Sequence, residues 1–579
     1  MKARLFAALA VACAAASAQT VCPPTQEFTP CDLVFDVPGS TGDKPLDLQA
    51  EFRSPKANTV LARAFWDGGT RWVIRYTPAE AGKHLYRLSG SVAPFAGKQG
   101  EITAIDNPSH PGWLRPANLH HFALVDGINY TPYLYMGAVV PGFDAMDRAR
   151  WTALVDERAS QHFNHLAVTL VDSSAADSFR NPEFFRAAEE KIGYANQHGI
   201  MIDLAFFGPG LMTKLLPSDN DRRGWFAYAL SRLAAFDVVW DGIEAWENQA
   251  DGPAQLTEIA GYLKAMDPYR HIATTRTLVT SAALPDRSWA QIRSYQTSND
   301  AISGIEQQVY ANPAINNFSA GDSTAEAFRH HLWNSTMDGQ YPSAVIPDEA
   351  SGTAMKAWFE LMNSTRHWEL EPFFDVDNGR GLQLEGVEYV IYVEHPGPVT
   401  VTVEKHSYDT EWINPVNGEH TKLKEPCKGE TCTASPPDTS HDWILHISRE
   451  GTKAGMLKSF KFVSRDDDLE LQTLEANPDK IPFDITGPPS GTVSLSSPLE
   501  FSVKLKRQSK ALEHISWLWT AEVGASGRGY RVIGTTQGGA FRLPPDMSDN
   551  YPAGLHIRIF AMNGLGKVYS LDRNYELRK

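Results

Sequence analysis

The feature that most constrains this chain is a change of texture near Leu114. From there to about residue 372, short apolar runs alternate with amphipathic segments. Residues 133–136, 166–171, 200–207 and 237–240 are nearly unbroken apolar runs, as expected of parallel strands covered by helices on both faces. The spacing predicts helices over 183–198 and 222–236; in the second, Trp225, Tyr228, Ala229, Leu233 and Phe236 share one stripe. Later strands are expected at 272–275, 290–295, 309–315 and 343–346, with helices over 324–337 and 353–366. Eight strand–helix units in about 260 residues predict a (β/α)8 TIM barrel over 114–372. A doubly wound open sheet is the alternative, but no Gly-rich phosphate loop follows the first strand.

The flanks read as β-structure. Residues 71–76 alternate, 78–82 turn and 84–88 alternate back, which predicts a hairpin within an N-terminal β-sandwich over 22–108. Alternation returns in 387–393 and 399–403, predicting a β-domain over 373–464. Beyond the charged stretch 465–470, residues 470–579 have the texture of an Ig-like sandwich. The barrel is thus flanked by one N-terminal and one or two C-terminal β-sandwich domains.

Residues 1–18 read as a signal peptide: Lys2 and Arg4 open it, 5–16 is apolar, and Ala16-Ser17-Ala18 is an A-x-A cleavage signal. The expected product is secreted or periplasmic, and removing Lys2 and Arg4 takes the formal charge from −16 to −18. Close pairing of Cys22 with Cys31 and of Cys427 with Cys432 in an exported chain predicts two small-loop disulfides. Neither pair has zinc-ligand spacing, and no cofactor or metal is expected. The adjacent histidines 120–121 and 330–331 point in different directions on a strand or helix, which argues against a shared metal; of 330 and 331, one is expected to pack and one to be solvated. With 15 Trp, 19 Tyr and 27 Phe, the chain is no solvated coil. The acidic balance argues against a nucleic-acid partner, and no apolar run approaches the ~20 residues of a membrane span.

In such a barrel the reactive groups lie at the C-terminal ends of strands. Just after the fourth predicted strand comes a cluster of acid, aromatic and amide: Trp240, Glu244, Trp246, Glu247 and Asn248. Aromatic faces stack on sugar rings, and an apolar wall desolvates a carboxyl toward the behaviour of a general acid. Glu247 suits that role best and Glu244 second; the competing reading is a pair of helix-start acids. Glycoside hydrolysis requires a second carboxylate. Glu349, following the apolar run 343–346, is the first choice unless it is a loop acid capping the helix expected from Thr353. Glu306 is the second choice unless it is a loop residue. Trp246, Trp240 and Tyr310 would be sugar platforms, with Asn248 and Asn317 as hydrogen-bond donors.

These residues carry a family resemblance. The segment 64–76 with Pro78 and Gly82 resembles the uncharacterised sandwich domain that precedes glycosidase barrels in many bacterial secreted proteins. The barrel, with 221–240, 277–281 and 329–341, resembles the apiosidase-like glycoside hydrolases. Residues 387–403 followed by 412–418 resemble the β-domain conventionally called collagen-binding. Together the resemblance covers about residues 28 to 420. It implies that Glu247 is the acid/base at the end of the fourth strand, although the usual Asn-Glu pair is here Trp246-Glu247. The family's nucleophile position falls in 313–318, which contains Asn316 and Asn317 but no Glu. An amide cannot form the glycosyl ester. The expected function is a glycoside hydrolase acting on plant or microbial polysaccharide; the alternative is a non-catalytic carbohydrate-binding or adhesion protein on a degenerate barrel.

Overall fold

The computed structural model describes residues 19–20, 22–42, 44–249, 251–281, 288–296, 300–319, 324–423, 427–449, 474–475, 477–489, 491–506, 514–525, 530–536, 538–545 and 553–578. The expected signal peptide and the charged stretch 465–470 lie outside them.

Eight parallel strands form the barrel. The first four are Gly137–Val139, His165–Val171, Met201–Phe207 and Val238–Asp241. The sixth to eighth are Arg293–Tyr295, Ala314–Ser319 and Gln340–Val345. The fifth is broken into Ala273–Thr274, paired to strand four, and Arg276–Thr277, paired to strand six. Strand one pairs with both strand two and strand eight, so among the described residues the ring is interrupted only inside a single strand. At that gap the Thr275 hydroxyl donates to the Ile243 carbonyl at 2.8 Å and accepts from the Ile243 amide at 3.0 Å, a side-chain substitute for ladder bonds. An open sheet would instead have two edge strands.

Helices α1 (Arg148–Ser160), α2 (Pro182–Gln197), α3 (Leu211–Leu215), α4 (Asp219–Leu233), α5 (Gly252–Met266), α6 (Asp300–Val309), α7 (Ala325–Met337) and α8 (Glu349–Asn363) cover the outside. Asp147, Ser218, Thr324 and Asp348 cap α1, α4, α7 and α8 with side-chain oxygens that accept first-turn amides.

Two local expectations are corrected. Residues 133–136 do not form the first barrel strand, which begins only at Gly137. Asn129–Tyr133 instead joins Trp113–Ala117 and His121–Asp126 in a three-stranded antiparallel sheet. That sheet meets segments that enter barrel strands: Arg115 donates to Tyr269 O, His120 Nε2 meets Tyr310 O, and His121 Nδ1 meets Tyr341 Oη. It therefore closes the N-terminal mouth. The predicted hairpin is likewise not one. Arg71–Tyr76 pairs with Cys31–Asp36 in one sheet, while Gly82–Gly90 pairs with Leu48–Arg53 and Gln99–Ile105 in another. Pro78, with no amide to continue a ladder, lies in the crossover between the two sheets of the sandwich.

Buried charge joins the sandwich to the barrel. Arg232 of α4, with no exposed surface, meets Glu189 of α2 at 2.5 Å and Asp67 of the sandwich at 3.0 Å. Arg75 meets Asp32 at 2.7 Å and Glu189 at 3.2 Å. On the far side an eight-stranded sheet spanning 371–449 docks on α7, where Arg329 pairs with the fully buried Asp442. The last two sheets, spanning 483–577, share a core of their own around Trp519, Phe501 and Phe541. A separate cluster joins this region to α6: Ile302 and Ile305 pack with Leu518, Phe560, Met562 and Val568. Both disulfides are formed, Cys22–Cys31 and Cys427–Cys432. No helix among the described residues is long and apolar enough to cross a membrane.

Candidate active site

Strand four ends in Asp241, and the chain turns at once into the acid-rich segment singled out in the sequence. Asp241 is buried; its Oδ2 accepts from Arg276 Nε at 2.5 Å, and its Oδ1 has no partner among the described residues. Burial pushes the Asp241 carboxyl up against the pull of Arg276. Arg276, in the second half of strand five, also reaches Glu244 at 3.4 Å and keeps Nη2 buried without a partner among the described residues. Ala245 then takes a left-handed conformation, φ 48°, which tightens the entry to a single 3-10 turn over Trp246–Asn248. Gly252 at the start of α5 permits that turn to pack down, since a Cβ there would lie 2.1 Å from the Trp246 carbonyl oxygen.

The turn holds Glu247 half-buried on the C-terminal rim. Its Oε1 accepts the Leu278 amide at 2.9 Å, and its Oε2 is buried without a partner among the described residues. Burial raises its pKa, opposed by the Leu278 amide. A carboxyl that is reluctant to ionise, with one oxygen fixed and the other unclaimed, has the environment of a proton donor. Trp246 is buried beside it, its indole N–H without a partner among the described residues, and Asn248 is exposed.

The other predicted site residues scatter. Trp240 is corrected: its ring has no exposed surface, stacks on Phe206 at 5.2 Å and donates to Asp267 at 2.9 Å, so it is core and no sugar platform. Tyr310 is corrected too. It follows α6 and precedes strand seven, which starts at Ala314 and not at residue 309, and its carbonyl meets His120 at the closed N-terminal mouth. Glu306 lies on α6, fully buried, and accepts from Ser281 Oγ at 2.5 Å, Tyr295 Oη at 2.6 Å and Thr280. Arg293 and Tyr295, two apart on strand six, both turn toward α6, where Gln307 and Glu306 meet them. Glu306 is thus between helix and barrel wall, neither loop residue nor cleft acid. Glu349 is the exposed first residue of α8, four residues past strand eight, with Asp348 as the cap, since the helix expected from residue 353 already starts here.

On strand seven Asn316 faces α7, where it meets His331 at 3.0 Å, while Asn317 faces inward and donates to Ser294 at 2.5 Å. No carboxylate stands on this strand. The histidine pairs also differ from expectation. His120 and His121 converge on Glu371, at 3.0 and 3.4 Å, because Asn118 and Leu119 before them are left-handed. His330 and His331 are both half-buried. Among the described residues no group of His, Cys, Asp and Glu has the arrangement of a metal site.

Sequence reasoning missed the polar layer beneath the site. Asp203 of strand three accepts from Tyr135 Oη at 2.6 Å and pairs with His165 Nδ1 at 2.7 Å, all three side chains buried. Gly137 makes room for them: a Cβ there would lie 2.8 Å from both Tyr135 Oη and Ser343 Oγ. The signal was an aspartate in the middle of the apolar run 200–207.

Residues 25–91 match the family model described as a domain of unknown function, DUF5060. No curated protein matches the chain. Among solved structures, a candidate glycoside hydrolase from Bacteroides vulgatus ATCC 8482 is similar at TM-score 0.63 and 18% identity, over 74% of this chain and 99% of that one. A family 5 glycoside hydrolase from the same organism is similar at TM-score 0.51 and 11% identity, over 61% of this chain and 96% of that one. The chain shares the fold of these proteins.

Proposed function

We propose that this chain is an exported glycoside hydrolase of the apiosidase-like kind, acting on polysaccharide. Glu247 would protonate the leaving glycosidic oxygen, with Trp246, Asn248 and Asn317 shaping the sugar site. The observation that carries this reading is the state of the Glu247 carboxyl: desolvated, fixed through one oxygen and unclaimed at the other, after strand four of a barrel shared with glycoside hydrolases. Glu349, the exposed first residue of α8 after strand eight, across the ring from strand four, is the candidate for the second carboxylate. Export is supported by the leader-like residues 1–18 and by the two disulfides. On the resemblance of 387–403 and 412–418, the β-domain that follows the barrel is read as the one conventionally called collagen-binding, a label that implies no ligand here.

The test is a panel of aryl-glycosides and pectic oligosaccharides given to the wild-type chain, Glu247→Gln and Glu349→Gln. Both variants are expected to fold and to lose about 100-fold or more in turnover. Near-normal hydrolysis by Glu247→Gln removes it from the acid role; near-normal hydrolysis by Glu349→Gln removes the second assignment alone.

One observation favours a second reading, a non-catalytic carbohydrate-binding protein. Strand seven, where the family's nucleophile falls, carries Asn317, and Glu306 is turned to α6. Saturable oligosaccharide binding with no reducing sugar released across the panel would favour that reading over the hydrolase.

A further inference from the structure

We infer that Glu306 is a positioning residue for Glu247, acting through the loop 278–281, and that the last β-domain braces the same loop. This deepens the reading of Glu247 as the acid and takes its catalytic meaning from it. The path is continuous. Glu247 Oε1 is held by the amide of Leu278, the first residue after strand five. A lone backbone donor on an exposed rim fixes a carboxyl only as well as its own loop is fixed. Here the loop is tied two residues on: Thr280 Oγ1 donates to Glu306 Oε1, and Ser281 gives Glu306 Oε2 both its amide, at 3.2 Å, and its hydroxyl, at 2.5 Å. Tyr295 Oη, from strand six, donates to the same oxygen at 2.6 Å and fixes Glu306 from the barrel side. All three partner residues are buried, as is Glu306 itself.

Between the two tied points stands Val279, which is held by apolar packing instead. It packs against the cluster that joins α6 to the last domain, with Ile302 and Ile305 on one side and Leu518, Phe560, Met562 and Val568 on the other. Glu306 and Ile305 are neighbours on one helix, so the loop is gripped by charge-assisted hydrogen bonds and by apolar packing from a single support. Four donors on one buried carboxylate bind it more firmly than neutral acceptors would. A carboxylate is the side chain that accepts all four; an amide in its place has a single acceptor oxygen and leaves donors unpaired.

The experiment compares the full chain with Glu306→Gln and, because that variant risks misfolding, with Ser281→Ala, which removes one donor and keeps the backbone. Two readouts do not depend on turnover: hydrogen exchange of peptides covering 276–281, and carbodiimide labelling of Glu247 across pH, read by mass spectrometry. The expected result is exchange faster by about tenfold or more in 276–281, with unchanged exchange in strand two, and a Glu247 labelling midpoint moved to higher pH by loss of the Leu278 bond. On a hydrolysed substrate, kcat should fall about tenfold or more with KM nearly unchanged. A folded Glu306→Gln or Ser281→Ala chain with wild-type exchange at 276–281 and wild-type labelling of Glu247 overturns the proposal. Absence of hydrolysis by the wild type would instead overturn the catalytic reading, and the exchange and labelling results would still decide whether Glu306 positions Glu247.

Discussion

The amide of Leu278 donates to one oxygen of Glu247 at 2.9 Å, while the other oxygen of that carboxyl is buried without a partner among the described residues. Two loops of the barrel rim, after strands four and five, therefore meet at a single carboxyl. The arrangement costs stability, since a buried acceptor left unpaired is unfavourable by about 1–3 kcal/mol. Cost at a rim position of this kind is what a binding or catalytic site accepts.

The cost has a pH signature. The folded Glu247 carboxyl titrates above its ordinary 4.5 because it is desolvated. Just above that pH the folded chain holds a proton that the unfolded chain has released, so stability falls as pH rises through this window. Glu247→Gln removes the titration. The variant should gain stability relative to wild type as pH is raised from 4.5 to 7, and urea midpoints at several pH values will report it. A constant offset across that range would mean that the carboxyl titrates normally.

Arg232 should be the costliest single residue at the boundary of sandwich and barrel. It neutralises Asp67 from one domain and Glu189 from another with no exposed surface of its own. Burial opposes ionisation of Asp67, but Arg232, aided by Arg71 and Arg186, outweighs it and holds the carboxyl below its usual value. Arg232→Met leaves two buried acids short of a partner and is expected to cost about 3–5 kcal/mol. Chemical denaturation measures this; a loss below about 1 kcal/mol would show that solvent reaches the pair.

The barrel was legible because its strands are continuous apolar runs, and a chain can hide such runs on both faces in few ways. Glu247 was legible in position because acid, indole and amide crowd the end of one such run. What failed had local causes. Residues 71–88 read equally well as a hairpin or as a crossover between sheets, since both alternate on either side of a turn. Tyr310 was read into a strand because α6 ends in Val309, an apolar residue that blends into the run before strand seven. Glu306 was read as a loop residue or a cleft acid because no helix was expected over 300–309, and nothing in the sequence tells that strand six offers Tyr295 and loop five offers Thr280 and Ser281 to that carboxyl. Arg276 was hidden in a strand of two residues.

The contact between α7 and the following β-domain offers a sharper test of buried charge. Asp442 is fully buried, takes two bonds from Arg329 Nε at 2.9 and 3.0 Å, and accepts from Tyr392 Oη at 3.0 Å. Asp442→Ala strands the Arg329 guanidinium and is expected to cost about 3–5 kcal/mol, whereas Arg329→Met combined with Asp442→Leu should recover most of that loss. Thermal or urea unfolding of the two variants separates the cases. Equal destabilisation by both would place the value of Asp442 in its bond to Tyr392 instead of its charge.

At the closed mouth of the barrel the protein should carry an acid-sensitive joint. His367 is buried, with Nδ1 unpartnered among the described residues, and its ring packs edge-on against Trp368 at 5.1 Å. Burial, with a further push from His121, takes its pKa down to about 3 from the ordinary 6.5. Between those values the unfolded chain binds a proton that the folded chain refuses, so stability falls as pH drops through 6.5 toward 3. Glu371 acts later. Burial works against its charge, but His120 and His121 hold it well below the usual carboxylate value, and the stability it adds is lost only as pH falls below 4.5. The two groups can therefore be told apart. His367→Phe keeps a ring in the cavity and should flatten the loss of stability between pH 6.5 and 5, a difference of a few kcal/mol by the end of the full window. The steeper loss below pH 4.5 should remain, because Glu371 and its histidines are untouched. Should His367→Phe keep the wild-type slope between pH 6.5 and 5, measured by urea midpoints, the acid sensitivity belongs to another group and the joint is not His367.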